Sequence, residues 1–398
     1  MSLNRKEIIT SGALKVCGAV LTVVVSIVIS RFYSAEDFAG YVLYTRVLSF
    51  AVPLVTLGIG DVLIKHRAAV TLEPLGERMI LFGLFLFSGI ASVIYLLAWN
   101  SGGDDDAYYM FSLPGLFVLE YFGFIFISRK RFTRSFLVNR IIRLVLFLCS
   151  LVGVAWFSIS EISVGKAFFY TTLISMIIVG ISSFRILEKS THFSRDNAQM
   201  SLVLWLSNII ALFANNYPIF LLGLLGLKGD IATLGPALEI AAMFNFFVVL
   251  ANTYVKPRMA ELYSVSALPS LSGLVMRTSG MLLLIIAPGV VVTFCFGHSL
   301  LELWGGYHST PIWVLWVLVV AQVVNGVTGP AGVFLNMSGR ESISLAINTL
   351  TVVVLMGTLH WGLDRFEALD LVVWSIFLTS VMRNCLRYTV MHFTLKSV

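Results

Sequence analysis

Apolar runs of about 20 residues recur along the whole chain, separated by short charged or Gly- and Pro-rich segments. One transmembrane helix needs about 20 consecutive apolar residues. The pattern therefore predicts an all-α polytopic membrane protein with twelve transmembrane helices. The predicted spans are 12–30, 39–60, 79–99, 107–128, 136–157, 164–186, 201–225, 233–255, 276–297, 311–336, 342–362 and 369–389.

The Lys and Arg residues of the connections indicate the orientation in the membrane. With the N-terminus inside, 18 of the 27 basic residues fall on the cytoplasmic side. Only four fall on the opposite side, namely Arg31, Lys166, Lys228 and Arg365. Cytoplasmic loops of membrane proteins carry an excess of positive charge. A multi-pass protein with both termini in the cytoplasm is therefore predicted.

A polar connection at the midpoint of the chain divides the twelve spans into two sets of six. The stretch RILEKSTHFSRDNAQ covers residues 185–199. It predicts an N-terminal six-helix bundle over 1–186, a cytoplasmic linker over 187–200 and a C-terminal six-helix bundle over 201–398. Similar tetrapeptides, IKHR and VKPR, end the second helix of each half. Two repeated halves of this kind are one of the plans used by secondary transporters.

Composition excludes several classes of protein. Hydrophobic residues make up 58% of the 398 residues, charged residues only 12%, and the mean hydropathy is +0.92. The four cysteines lie in apolar runs and give no disulfide framework. No metal-binding or nucleotide-binding motif is present, and the basic residues follow the predicted topology. We therefore predict no catalytic residues, no metal site and no nucleic-acid partner.

Polar residues form one-sided stripes on several predicted helices, at steps of three or four residues. Lipid cannot form hydrogen bonds with such groups, so each stripe is expected to face another helix or a water-filled cavity. The candidate cavity-lining residues are Asn208, Asn215, Asn245, Asn252, Gln322 and Asn325.

Charged residues inside the spans are the strongest functional candidates, because a charge in hydrocarbon needs water or a partner. The cations are Lys15, Arg46, Arg140, Arg143 and Arg383, and the acids are Glu120 and Glu239. Two interpretations stay open for each group. Glu239 either neutralises Lys15 or Arg46 or binds a coupling ion, and Glu120 is either a proton or cation site or the partner of an arginine. The three later arginines either face a cavity or extend to the membrane interface.

Four motifs resemble those of the bacterial polysaccharide exporters. SRFYSAEDFAGYVLY (30–44) and LGIGDVLIKH (57–66) are similar to the N-terminal signature of that family, with Phe38-Ala39-Gly40 in place of Phe-Gly. FGHSLLELWGG (296–306) and GPAGVFLNMSGRES (329–342) are similar to its C-terminal signature. The chain thus resembles the O-antigen flippases of Wzx type, in the multidrug/oligosaccharidyl-lipid/polysaccharide exporter superfamily.

This resemblance implies two six-helix bundles around a central cavity in the bacterial inner membrane. It implies that an undecaprenyl-pyrophosphate-linked oligosaccharide crosses the membrane by alternating access, coupled to a proton or sodium gradient and without a resident cofactor. Membrane lipids and a polysaccharide polymerase with its chain-length machinery are the implied partners. Lys15 and Arg46 would bind the pyrophosphate, since family members carry cations on these two helices, and Arg140, Arg143 and Arg383 would recruit it. Glu239 and Glu120 would couple the ion.

Two alternatives stay open at this point. The first is a small-molecule or drug cation antiporter of the same superfamily, for which an acidic cavity would be expected. The second is a membrane polysaccharide polymerase, which would need catalytic carboxylates near an outer loop. The cations outnumber the acids within the spans, and the outer connections are short. Both observations favour the flippase.

Overall fold

The computed structural model confirms the all-α prediction, with a helix at each of the twelve predicted spans. It describes residues 5–57, 77–98, 104–129, 131–157, 162–187, 195–264, 268–305, 310–338 and 340–396. All but the first residue of the motif at 57–66, and most of the polar connection at 187–200, lie outside these ranges. The helices are α1 (Arg5–Phe32), α2 (Ala35–Thr56), α3 (Glu77–Ala98), α4 (Asp104–Phe111 and Leu113–Ser128), α5 (Phe132–Trp156), α6 (Val164–Ser183), α7 (Arg195–Leu224), α8 (Lys228–Ser264), α9 (Leu268–Glu302), α10 (Ile312–Thr328 and Ala331–Met337), α11 (Glu341–Gly362) and α12 (Ala368–Lys396).

Several helices extend beyond the apolar run that predicted them. Helix α8 continues to Ser264, and α9 begins at Leu268, so much of the predicted loop between them is helical. Helix α7 begins at Arg195 instead of near residue 201. The length of an apolar run reflects the thickness of the hydrocarbon layer, whereas the helix itself can continue into the surrounding water. Among the described residues, nine helices are long and apolar enough to cross a membrane, or ten if the bent pair in α10 counts as one span.

The chain folds into two compact units, residues 1–209 and 210–398. The first unit contains α1 to α6 and the start of α7. Its core is aromatic: the Tyr44 and Tyr109 rings stack at 5.1 Å, and Phe168 packs against both Tyr109 and Phe147 at 5.3 Å. These rings join α2, α4, α5 and α6 within the unit.

A capping box fixes the turn between α1 and α2. The Ser34 hydroxyl accepts a hydrogen bond from the Asp37 amide, and the Asp37 carboxylate accepts one from the Ser34 amide. The adjacent Tyr33 hydroxyl donates to the Leu151 carbonyl near the end of α5, at 3.1 Å. Burial, and then the negative charge of Asp37, raise the pKa of Tyr33 to about 12. Tyr33 is therefore a neutral donor at every physiological pH.

Helix α5 contains one wide turn. Residues Phe132–Phe136 are α-helical, Leu137–Ile141 form a π-helical turn, and Ile142–Trp156 are α-helical again. A π-turn is rare, appears mostly as a single turn inside an α-helix and is frequent at functional sites. This turn contains Asn139 and Arg140, so we consider it part of a candidate functional site.

The second unit contains the rest of α7 and α8 to α12. Helix α10 bends by 45° at Gly329 and Pro330. Its second segment places Phe334 and Leu335 in a core with Met259 of α8, Leu271 of α9 and Met391 of α12. The segment of α10 after the bend therefore contributes to the core formed with α8, α9 and α12.

The bend at Gly329 depends on the absence of a side chain. Gly329 has φ 59° and ψ −142°, a conformation open essentially to glycine alone, and a Cβ there would lie 2.0 Å from the Ser279 hydroxyl oxygen. We expect Gly329→Ala to lower the free energy of unfolding by about 1–3 kcal/mol. Thermal unfolding of the purified protein in detergent measures this change. The control Gly357→Ala, where a Cβ meets nothing within 4 Å, should not destabilise the protein; equal unfolding temperatures would contradict the prediction.

Candidate functional site

The polar and small residues at helical spacing on α1, namely Lys15, Gly18, Thr22 and Ser26, form one stripe. Its first part faces the wide turn of α5. The Lys15 ammonium lies over the Phe136 ring, 4.5 Å from its centre. One turn later, a Cβ on Gly18 would lie 3.2 Å from the Ile141 side chain and 3.6 Å from that of Arg140. The expectation that this stripe faces another helix is met for Lys15 and Gly18, since a small residue lets the two backbones approach.

Arg140 joins the same contact from the side of α5. Its Nη2 donates to the Thr22 hydroxyl on α1 at 3.3 Å, while that hydroxyl donates to the Gly18 carbonyl at 2.8 Å. Arg140 is nevertheless largely exposed on the surface of its unit. A neutral hydroxyl thus positions the guanidinium. Its other N–H donors stay available to a ligand.

Arg143 points to a different neighbour. Its guanidinium lies 5.1 Å from the centre of the Phe168 ring on α6, a cation–π arrangement. Its Nε is buried and has no hydrogen-bond partner. Among the described residues, no carboxylate lies within 4.0 Å of the Lys15, Arg140 or Arg143 cations.

Glu120 of α4 lies next to this group of cations. Its carboxylate accepts a hydrogen bond from the Asn139 amide on the wide turn of α5, at 2.5 Å. The positive charges of Arg140 and Arg143 both act on it electrostatically, without a direct ion pair among the described residues. Lys15, Glu120, Asn139, Arg140 and Arg143 form one group, which we call the α5 cluster. With Glu120 ionised its net charge is +2.

Arg46 does not belong to the α5 cluster by any contact that the structure shows. It is half-buried on α2, and its guanidinium has no hydrogen-bond or ion-pair partner among the described residues. The following turn is polar, since the Ser49 hydroxyl donates to the Arg46 carbonyl at 2.8 Å. The convergence of Lys15 and Arg46 on one head group stays a prediction.

The amides predicted to line a cavity divide into three groups. The Asn325 amide of α10 donates to Asn245 of α8 at 3.2 Å and to Gln322 at 3.4 Å. Asn252 of α8 has a buried side-chain oxygen without a hydrogen-bond partner. Asn208 and Asn215 lie on exposed positions of α7, and Glu239 is half-buried on α8. The stripes of α8 and α10 therefore meet within the second unit.

Two arginines of α12 form a second basic site. The Arg383 Nη1 donates to the Asn215 oxygen of α7 at 2.9 Å. The Arg387 Nη2 donates to the Asn348 oxygen of α11 at 2.6 Å. Sequence reasoning counted Arg387 with the cytoplasmic basic residues, although it lies within the last predicted span, 369–389. Helix α12 in fact continues to Lys396. The spacing of four residues between two arginines was the signal available in the sequence.

These places share a donor chemistry that suits negatively charged groups. Each unit contains at least two arginines held by neutral groups, hydroxyl, amide or aromatic, instead of by acids. Arginine presents a planar fork of donors that suits phosphate and carboxylate oxygens. Among the described residues, no group of three His, Cys, Asp or Glu side chains could hold a metal ion.

The sequence matches no protein-family profile and no curated relative. Solved structures do match over nearly the whole chain. An inward-facing multidrug resistance MATE family transporter of the MOP superfamily has a TM-score of 0.73 at 13% identity, covering 98% of both chains. An outward-facing structure of the same description has a TM-score of 0.70 at 15% identity, covering 98% of this chain and 96% of that one.

A third match is a MOP superfamily transporter from Pyrococcus furiosus, with a TM-score of 0.71 at 15% identity, covering 98% of this chain and 96% of that one. Its description states that reverse polarity of the binding pocket suggests a different function. At these identities the matches establish the fold, that of the MATE transporters. They lie in the superfamily named from the sequence motifs, and they fit the cation-antiporter alternative better than the flippase subtype.

Proposed function

We propose that this chain is a membrane transporter that carries an amphiphilic anion, and that a lipid-linked oligosaccharide diphosphate is its substrate. The proposal is carried by one observation: the α5 cluster holds three cations without a carboxylate within 4.0 Å among the described residues. A charged side chain within a membrane span usually pairs with another charge, a backbone carbonyl or water. Here the partner would be the substrate.

A diphosphate must lose much of its water to cross hydrocarbon, and cationic side chains replace that water. Hydrogen bonds from arginine to phosphate oxygens are charge-assisted and often paired. Lys15, Arg140 and Arg143 would make the first contacts, with Arg46 as a further cation on α2. Glu120 would carry the coupling proton, because protonation raises the net charge of the α5 cluster from +2 to +3 and so favours an anion.

The fold supports a mechanism of alternating access. Two structures with this fold are described as inward-facing and outward-facing, so the architecture accommodates both states. We infer that the chain lies in a bacterial inner membrane with both termini in the cytoplasm, on the distribution of its basic residues. Ion coupling, by a proton at Glu120 or a sodium ion at Glu239, is part of the same proposal.

A second candidate function is the antiport of small cationic compounds, which the descriptions of the matched transporters favour. The Pyrococcus furiosus transporter has the same fold, and its description derives a different function from the reversed polarity of its binding pocket. The charge of the pocket can therefore distinguish functions within this fold. A cation substrate would be repelled by the charges of the α5 cluster. The charges therefore favour the anion, and the matched structures favour the cation.

The two functions are separated by one pair of measurements. The gene is expressed in a polysaccharide-producing bacterium whose own flippase gene is deleted, and the leaflet that holds the lipid-linked repeat unit is determined. We expect the repeat unit to move from the inner to the outer leaflet. In parallel, proteoliposomes are tested for pH-driven uptake of a lipophilic cationic dye, with empty liposomes as the control. Dye transport together with repeat units retained in the inner leaflet would overturn the proposal and establish the antiporter.

A further inference from the structure

The α12 helix of the second unit presents three buried donors on one side. Arg383, Asn384 and Arg387 lie within about 100° of the helix circumference, since each residue turns the helix by about 100°. Arg383 is fixed by Asn215 at 2.9 Å, and Arg387 by Asn348 at 2.6 Å. Because both anchors are neutral amide oxygens, they orient the guanidinium groups and leave both charges uncompensated.

Each of the three residues keeps a donor that nothing in the described chain accepts. The Nε atoms of Arg383 and Arg387 and the amide nitrogen of Asn384 are buried and have no hydrogen-bond partner. Asn384 is only 6% exposed. Buried donors without a partner are rare in folded proteins. Among the described residues, no carboxylate lies within 4.0 Å of either arginine.

The neighbouring helix leaves room for a flat guanidinium. Gly332, on the second segment of α10, lies against Arg387: a Cβ there would be 3.1 Å from Nη1 and 3.4 Å from Cζ. Gly332 lies directly after the bend at Gly329 and Pro330. A planar guanidinium held in place on two sides is suited to bind two oxygens of one ligand.

We propose that Arg383, Asn384 and Arg387 bind a tetrahedral oxyanion, namely a phosphate group, within the second unit. Water would satisfy the three donors but would not compensate two like charges four residues apart on one helix. A phosphate does both. The group comes either from inorganic phosphate or from the head group of an anionic phospholipid. The proposal is independent of which substrate is transported.

The first experiment uses the full chain, purified in a detergent that removes phospholipid. Thermal unfolding is followed while inorganic phosphate is titrated against chloride at constant ionic strength. We expect a saturable rise in the unfolding temperature of the unaltered protein. Asn384→Leu, which removes one donor and keeps both charges, should weaken the apparent affinity about tenfold, and Arg387→Gln should abolish the rise. Arg365→Gln, a loop arginine that lies over Trp361, is the matched control and should retain it.

The second experiment distinguishes the lipid source. Nanodiscs of phosphatidylcholine with and without phosphatidylglycerol are compared, and phospholipid retained by the protein is counted by native mass spectrometry. A head-group site retains phosphatidylglycerol in the unaltered protein and in Arg365→Gln, and loses it in Asn384→Leu and Arg387→Gln. Binding of neither probe would overturn the proposal.

Discussion

Replacement of Arg143 by glutamine should strongly lower the rate of transport and leave the protein folded. Arg143 is half-buried against Phe168, its Nε is buried without a hydrogen-bond partner, and no described carboxylate lies within 4.0 Å of it. A buried charge without a partner costs several kcal/mol, so its removal should not lower the unfolding temperature. Loss of one charge-assisted hydrogen bond to the substrate costs about 1.5–3 kcal/mol, which corresponds to a rate about 10- to 100-fold lower.

Transport of the lipid-linked repeat unit in the complementation host provides the rate, and detergent unfolding provides the stability. Arg143→Lys retains a charge without the fork of donors and should give an intermediate rate. Arg365→Gln, outside the spans, should transport normally. Normal transport by Arg143→Gln would remove this residue from the mechanism. A lowered unfolding temperature would indicate that Arg143 has a structural role.

Replacement of Glu77 by glutamine should produce the largest loss of stability in the first unit. The Glu77 side chain is 1% exposed and accepts from Arg129 Nη2 at 3.1 Å, while the Glu77 carbonyl accepts from the Tyr121 hydroxyl at 2.7 Å. Removal of one partner of a buried ion pair costs about 3–5 kcal/mol, because the remaining charge loses that partner. Arg129 is partly exposed, so we expect a value near the lower end.

A double-mutant cycle isolates the ion pair between these residues. Once Glu77→Gln has been made, the further change Arg129→Met should cost less than it does alone, because the two side chains are in contact. Arg131→Met, an exposed change two residues along, should alter the free energy of unfolding by no more than about 0.5 kcal/mol. Additive effects of Glu77→Gln and Arg129→Met would show that the two charges do not stabilise each other.

The positions of the helices that the structure describes were predictable from hydropathy, but their ends were not. The apolar run that predicted α8 ends before Lys256, although the helix continues to Ser264. Charged residues are good helix formers, so a change from apolar to charged marks the membrane boundary without ending the helix. In the same way the last predicted span stops at 389, whereas α12 continues to Lys396.

The candidate residues were predictable by type, and their neighbours were not. Charges and amides inside apolar runs identified Lys15, Arg140, Arg143 and Glu120 without knowledge of the fold. Nothing in one sequence indicated that Asn139 would bind Glu120 or that Phe136 and Phe168 would lie under two of the cations. Those contacts join different helices, so they can be known only from the way the helices pack in the folded unit.

The π-turn at Leu137–Ile141 has a consequence for aligning this chain with others. A wide turn contains one residue more than the α-turn it replaces, so the two ends of α5 belong to different helical wheels. Arg140, inside the turn, contacts α1, and Arg143, just after it, contacts α6. An alignment with a regular helix therefore needs a one-residue gap at this turn, and without it every position on one side of the turn would be matched to the wrong face.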